Sequence, residues 1–257
     1  MVSRTGMSID TVQRQRFEHK YKINEDVALS IRDFLSSYLD LDSYGATQPN
    51  LSYPVHSIYL DSPGMTTYQE TVNGDRNRYK LRIRFYENTG EAPVYFEIKR
   101  RYDRVIAKKR VIVHRRAAMD LTRGFLPEPS CLVDPSAEQM DALLDFIRLV
   151  NLLRAEPKVH VAYLREAWIA DGANKIRVTI DRNVRSEPLK TVSFDPVLKK
   201  PRLVFGNERI LELKFTNRFP NWFKDLVQIF GLRQVGAAKY VDGVTNMGEH
   251  RFLRMHV

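Results

Sequence analysis

The sequence predicts an α+β protein, an antiparallel β-barrel with flanking helices, and three observations carry that reading. The first is residues 78–85, Arg-Tyr-Lys-Leu-Arg-Ile-Arg-Phe. Successive side chains of a strand point to opposite faces, so Arg78, Lys80, Arg82 and Arg84 share one face while Tyr79, Leu81, Ile83 and Phe85 share the other. The second is that other segments repeat the partition: Glu97 with Lys99, Tyr163 with Arg165, Arg177 with Thr179 and Asp181, and Glu212 with Lys214. The third is that these faces carry both signs of charge. A lone strand of this kind reads as a solvated edge whose cations oppose edge pairing. Several together predict a sheet rolled so that the charged faces meet inside a barrel, in a lumen suited to a polyanion.

Local patterns justify each element. Residues 15–23 alternate Arg16, Glu18 and Lys20 with Phe17, His19 and Tyr21, a first strand with the same charged parity. Asn24 caps a helix that has Glu25 and Asp26 in its first turn and Val27, Ile31, Phe34, Leu35 and Tyr38 at helical spacing. A loop with Gly45 and Pro49 leads to a strand at 55–61, which Ser62-Pro63-Gly64 ends. A short helix at 65–72 and the Asn73-Gly74 turn deliver the chain to the basic strand. Asn88-Thr89-Gly90-Glu91 returns it as 94–99, and 104–113, with Lys108, Lys109 and Arg110, completes a meander.

Residues 127–135 form a Pro-containing linker, the one plausible domain boundary. Ser136 and Gln139 make a capping box for the helix that follows, whose Met140, Leu143, Leu144, Ile147 and Val150 pack inward. Strands resume at 159–170, 175–181 and 210–215, with Asp171-Gly172 turning between the first two. Asn221 caps a last helix with Phe223, Leu226, Val227 and Phe230 inward, and Gly231 supplies its left-handed cap. Strand halves on either side of a central helix make residues 15–257 a single domain behind a flexible N-terminus at 1–14.

With 257 residues, 43% of them hydrophobic and 28% charged, the chain can bury a core, and wholesale disorder is excluded. No run approaches the ~18 apolar residues of a membrane helix. Residues 1–15 are polar and hold no secretory signal, so the protein is expected to be cytoplasmic, with no membrane insertion of its own. The lone Cys131 allows no internal disulfide and sits in no metal-ligand spacing. The formal charge of +10 favours an anionic partner without choosing among nucleic acid, acidic lipid and phosphate metabolite.

Neither a G-x-x-x-x-G-K-[ST] loop nor a G-x-G-x-x-G turn is present, so phosphate has to be held by side chains. Arg offers a planar fork of two parallel hydrogen bonds, Lys a point charge. Buried cations without counter-charge cost several kcal/mol each, and Glu97 and Glu212 are too few to balance the row. A polyphosphate or nucleotide tail, with a divalent cation on carboxylate oxygens, completes the neutralisation. The six histidines form no H-x-x-x-H or H-E-x-x-H, which argues against a histidine-built zinc site, and no serine lies in a G-x-S-x-G context. Tyr79 and Phe85 fall on the apolar parity, out of reach for base stacking, so no specific nucleic-acid partner is expected.

Seven stretches, in order, resemble the motifs of the VTC domain, the polyphosphate polymerase domain of the vacuolar transporter chaperone complex and a member of the triphosphate tunnel metalloenzymes. They are Phe17-Glu18-His19-Lys20-Tyr21, Ser57-Ile58-Tyr59-Leu60-Asp61, Leu81-Arg82-Ile83-Arg84-Phe85-Tyr86, Glu97-Ile98-Lys99, Tyr163-Leu164-Arg165, Leu211-Glu212-Leu213-Lys214-Phe215 and Ala238-Lys239-Tyr240. The resemblance implies a tunnel barrel in which the γ-phosphoryl group of ATP is transferred to a growing polyphosphate chain with Mn²⁺ or Mg²⁺. It implies that Lys20, Arg82, Arg84, Lys99, Arg165 and Lys239 grip phosphates, with Lys109 or Lys108 beside them. Tyr163 would offer a hydroxyl, Arg177 a further cation, and Glu212 would bind the metal unless it serves as counter-ion to Arg82 or Arg84. ATP and polyphosphate are the implied partners, and a separate membrane protein would be needed for export.

Two departures stand out. Arg16 occupies the first glutamate of the E-x-E-x-K strand found in hydrolytic members, which counts against a simple triphosphatase. Ala238 stands where the motif usually has serine. A tunnel phosphohydrolase, or a non-catalytic module that binds polyphosphate or inositol polyphosphate, remains the alternative reading.

Overall fold

The computed structural model of the protein describes residues 16–86, 89–103, 105–170, 175–216 and 218–253. The expected tail at 1–14, Asn88 and the Asp171-Gly172 turn lie outside the described residues. β1 (Arg16–Ile23) ends at Asn24, whose side chain accepts the Val27 N–H at 2.8 Å and so starts α1 (Glu25–Leu35). The two-residue β2 (Asp40–Leu41) and the one-turn α2 (Ser43–Ala46) precede β3 (Tyr53–Asp61). After α3 (Thr66–Val72), the strands β4 (Asn77–Phe85), β5 (Val94–Tyr102) and β6 (Val105–Val113) form the meander. Then come α4 (Arg115–Thr122), α5 (Ala137–Leu153), β7 (Glu156–Ala170), β8 (Ile176–Pro188), β9 (Arg202–Leu203), β10 (Arg209–Thr216), α6 (Asn221–Ile229) and α7 (Lys239–Met247).

All the strands join one sheet in the order β1-β10-β8-β7-β3-β4-β5-β6, with β2 on β7 and β9 on β8, and each pairing is antiparallel. The expected barrel is not formed. β1 and β6 end the sheet, and no ladder joins them among the described residues. The sheet is instead an open trough, curved enough for Lys99 of β5 to reach Glu18 of β1 at 3.2 Å. A side-chain ion pair stands where backbone closure was expected. Alternation tells which face a side chain takes, whereas closure depends on strand number, tilt and stagger, none of which alternation encodes.

The convex face is apolar, as the parity predicts. Leu81, Ile83 and Phe85 pack with Phe96 and Ile98 under Leu143 and Phe146 of α5. Ile31 and Leu35 of α1, with Phe223 and Leu226 of α6, cover Val178, Ile180, Leu211 and Leu213. Burying each such aliphatic or aromatic side chain stabilises the fold by about 1.5–3 kcal/mol before chain entropy is counted. α7, which the sequence reading did not anticipate, packs with Tyr59, Val159 and Val161, and so carries apolar packing onto the concave side.

Other details differ from expectation. Ser136 caps α5 by accepting the Gln139 N–H, but Gln139 does not reciprocate: its Oε1 accepts the Ile112 N–H at 3.0 Å and ties the helix to the edge strand β6. The 127–135 segment is likewise sewn to that edge, with Leu132 in the core, the His114 N–H on the Cys131 carbonyl and the Val133 N–H on that of Ile112. Pro220, not Asn221, occupies the N-cap of α6, a shift of one residue within the ordinary scatter of helix ends. Among the described residues no helix is long and apolar enough to cross a membrane.

Candidate functional site

The concave face encloses a cavity of ≈ 1570 Å³ whose lining includes Lys20, Arg82, Arg84, Lys99, Tyr163, Arg165, Arg177, Glu212 and Lys239. Register explains the convergence. Lys20 on β1 lies opposite Glu212 on β10, which lies opposite Thr179 on β8, while Arg82 on β4 lies between Tyr59 on β3 and Glu97 on β5.

Two charge clusters result. In the first, Glu212 Oε1 faces Lys239 Nζ at 3.0 Å and Lys20 Nζ at 3.5 Å, while Oε2 faces Lys214, Arg165 at 3.6 Å and the Thr179 hydroxyl at 3.4 Å. Asp181 takes the Arg165 fork on both oxygens, at 2.7 and 2.8 Å, and Lys239 at 2.7 Å. Lys20 also donates to the Ala237 carbonyl at 2.9 Å and pairs with Glu18 at 3.1 Å. In the second cluster Glu97 accepts from Arg82 and Arg110, each Nε at 2.6 Å, with Lys108 at 3.8 Å. Arg84 belongs to neither; its guanidinium donates to the Tyr163 hydroxyl at 3.1 Å and the Ser57 hydroxyl at 3.3 Å. Glu212 is therefore counter-ion to Lys20, Lys214, Lys239 and Arg165, and not to Arg82 or Arg84.

These surroundings set the protonation states. Burial alone would raise the Glu212 carboxyl, but Lys214, Lys239 and Lys20 outweigh it and hold it well below the ordinary carboxylate range. Glu18 and Glu97 are depressed in the same way, by Lys99 and Lys20 and by Arg82 and Arg84 respectively. Burial draws the Lys214 ammonium down to about 8 despite Glu212, and Lys108 to about 8 despite Glu97. Burial would raise the Asp181 carboxyl too, but Arg165 and Lys239 hold it below the ordinary range, so all four carboxylates are anionic at neutral pH. They still fall short of the cations around them, so the shortage of counter-charge expected from Glu97 and Glu212 persists after Glu18 and Asp181 are added.

Two expected residues sit apart from the rest. Lys109 borders the same cavity but lies on the convex parity and pairs with Asp145 of α5, whereas Lys108 and Arg110 are the β6 cations that reach Glu97 inside the trough. Val111 and Val113, both buried in the apolar core, carried the signal for this, because Lys109 shares their parity. Arg177 does face the cavity, at a margin where Asp42 at 2.9 Å and the Tyr53 hydroxyl at 3.2 Å hold it.

Sequence reasoning missed Tyr59, whose hydroxyl accepts from Arg82 at 3.3 Å, and Tyr240, which stacks on Tyr59 at 4.8 Å and donates to Asp61 at 2.7 Å. The signal for Tyr59 was its parity with Ser57 and Asp61. Tyr240 follows Lys239 at the first turn of α7, and its bond to Asp61 anchors that helix to β3.

The carboxylates do not compose a resident metal site. Among the described residues no group of three acidic, histidine or cysteine side chains is placed to hold an ion. Both oxygens of Glu212 already face ammonium or guanidinium groups. A hard divalent cation bound mainly by substrate phosphates and water needs only one or two protein carboxylates, and the arrangement is compatible with that kind of ion alone.

Fold and site together define an open antiparallel sheet with a cation-rich concave cavity, an arrangement suited to an anionic ligand. A model of the VTC domain matches residues 15–247, and the chain belongs to the VTC domain family, whose superfamily is associated with phosphate-transfer chemistry. Among solved structures it is similar to the PH1819 protein from Pyrococcus horikoshii OT3, with TM-score 0.46 and 10% identity over 91% of this chain and 99% of that one. It is also similar to the Mimivirus capping enzyme triphosphatase, with TM-score 0.38 and 10% identity over 87% and 92%. No curated protein matches the chain.

Proposed function

We propose that the protein is a polyphosphate polymerase that uses ATP. A terminal oxygen of the polyphosphate chain attacks the γ-phosphorus, a new P–O bond forms, the bond from that phosphorus to the β,γ-bridging oxygen breaks, and ADP leaves. Such a reaction asks the protein mainly for positioning and charge neutralisation, because the transferred group carries its charge on its own oxygens. The observation that carries the reading is the excess of cations over carboxylates on one concave face.

In this reading Arg82, Arg84 and Arg165 hold phosphate oxygens through their planar forks, and Lys20, Lys99 and Lys239 add point charges. The Tyr163 hydroxyl, bound to Arg84, orients that guanidinium or a phosphate oxygen. Mn²⁺ or Mg²⁺ enters with the nucleotide as part of the substrate, and Glu212 is the one carboxylate assigned to it. Arg177 extends the basic lining at the margin, while Lys108 takes the place expected for Lys109. Export of the polymer would fall to a separate membrane protein. Incubation of the pure protein with ATP and Mn²⁺, followed by a polyphosphate-specific exonuclease, tests the proposal: degradable polymer is expected, and release of single phosphates alone favours a hydrolase.

A further inference from the structure

Like Arg84, Lys80 is a trough cation that both carboxylate clusters leave out; Arg84 has the Tyr163 and Ser57 hydroxyls, whereas Lys80 faces another ammonium. Its partner across β4 and β5 is Lys99, and like charges directly opposite on one face of a sheet repel. Lys99 is relieved by Glu18. Lys80, among the described residues, has no such carboxylate; its ammonium stands 6.0 Å from the centre of the Tyr240 ring.

The charged groups facing it are Lys99 from β5, Lys20 from β1, Arg78 from its own strand and Asp242 from α7. Asp242 is the lone acid in that set, and its Oδ2 already accepts the Ala238 N–H at 2.7 Å. Burial, then Lys99 and Lys20, bring the Lys80 ammonium down to about 7. On the same row as Arg82 and Arg84, Lys80 lies nearer the start of β4, placed for a stretch of polyanion beyond the one assigned to the two arginines.

We propose that Lys80 is a further phosphate-binding residue of the trough, neutral in a large share of empty molecules and protonated when an inorganic polyphosphate chain arrives. The ligand supplies the missing counter-charge, the solvent supplies the proton to Nζ, and no other bond changes. Polyanion affinity then rises as the pH falls through neutrality. This rests on the polyanion reading given above.

Titration calorimetry of the full chain with a linear inorganic polyphosphate, in two buffers of different ionisation enthalpy, counts the protons taken up. Lys80→Met provides the reference that cancels the ligand's own titration. At about pH 7 the wild type is expected to take up about half a proton more than Lys80→Met, and the excess should vanish by about pH 5.5, where the lysine is already charged. Lys80→Arg, charged throughout, should bind without the excess, and it replaces the methionine variant as reference if that one fails to fold. Equal proton counts in two proteins that both bind polyphosphate overturn the Lys80 assignment and leave the polyanion reading standing. Absence of binding by the wild type overturns both.

Discussion

Glu212 Oε1 lies 3.0 Å from Lys239 Nζ, and this contact joins the β10 strand to the first residue of α7 at the centre of the trough. It makes Glu212 part of the fold as well as part of the candidate site. Glu212→Gln keeps the volume but leaves Lys20, Lys214, Lys239 and Arg165 short of an anion. Breaking a buried pair in this way costs about 3–5 kcal/mol, so the melting temperature of the metal-free variant should drop markedly. Turnover per folded molecule should also fall. Unchanged melting would mean that the four cations do not depend on Glu212.

The Tyr240 hydroxyl bond to Asp61 positions Lys239. Tyr240→Phe removes one of the donors to Asp61, whose carboxylate keeps the Ser62, Thr67 and Tyr68 N–H groups and the Thr67 hydroxyl. The stability loss should be only about 1 kcal/mol. If α7 carries Lys239 into place, kcat should fall several-fold with the far-ultraviolet spectrum unaltered. Full activity at reduced stability would make Tyr240 a packing residue only.

Ala238 occupies the N-cap of α7, where its own side chain accepts no backbone N–H, although Asp242 accepts the Ala238 N–H. Alanine is a poor residue there, and serine accepts a backbone N–H from the first turn. Ala238→Ser should raise stability by roughly 0.5–2 kcal/mol. Activity should be raised or unchanged, since the hydroxyl also stands beside Lys239. A large loss of activity in a stabler protein would show that the position of the family serine has been misjudged.

His56 Nδ1 and His160 Nε2 lie 3.1 Å apart in the core beside Phe85, with Arg185 and Asp195 as the nearest charges. Burial, aided by Arg185 at His56 and by His56 at His160, draws each down from 6.5 to about 4. Between those values the unfolded chain binds protons that the folded one refuses, so stability is full above pH 6.5 and is lost as the pH falls toward 4. The slope is up to about 1.4 kcal/mol per pH unit for each histidine. Urea midpoints across that window should fall with pH, and less steeply in His160→Gln. Identical slopes in the two proteins would contradict the buried neutral pair.

Much of the trough was legible from alternation. Leu81, Ile83 and Phe85 are fully buried on the convex side while Arg82 and Arg84 face the cavity, as the period of two requires. Glu18 and Asp181 lay on the charged parity in plain view, yet their pairing with Lys99 and Arg165 depends on strand order, and a long-range order such as β1 beside β10 is not written in any local pattern. Closure was misjudged for the same reason. Lys108, Lys109 and Arg110 form a run of adjacent cations, and only the buried Val111 and Val113 fix which of them turn inward. α7 escaped notice because Gly243, Thr245 and Asn246 are weak helix formers, though Tyr240, Val244 and Met247 keep helical spacing. Its stability comes from packing on Tyr59, Val159 and Val161, a tertiary effect.

The central claim, that this cationic trough builds polyphosphate, is tested most directly by following the products made from ATP and Mn²⁺ over time. The account predicts ADP together with chains that lengthen with time, are degraded by a polyphosphate-specific exonuclease, and fail to form in Arg82→Ala and Arg165→Ala. Stoichiometric release of inorganic phosphate with no polymer at any time point, lost in the same two variants, would contradict it and make the trough the site of a hydrolase.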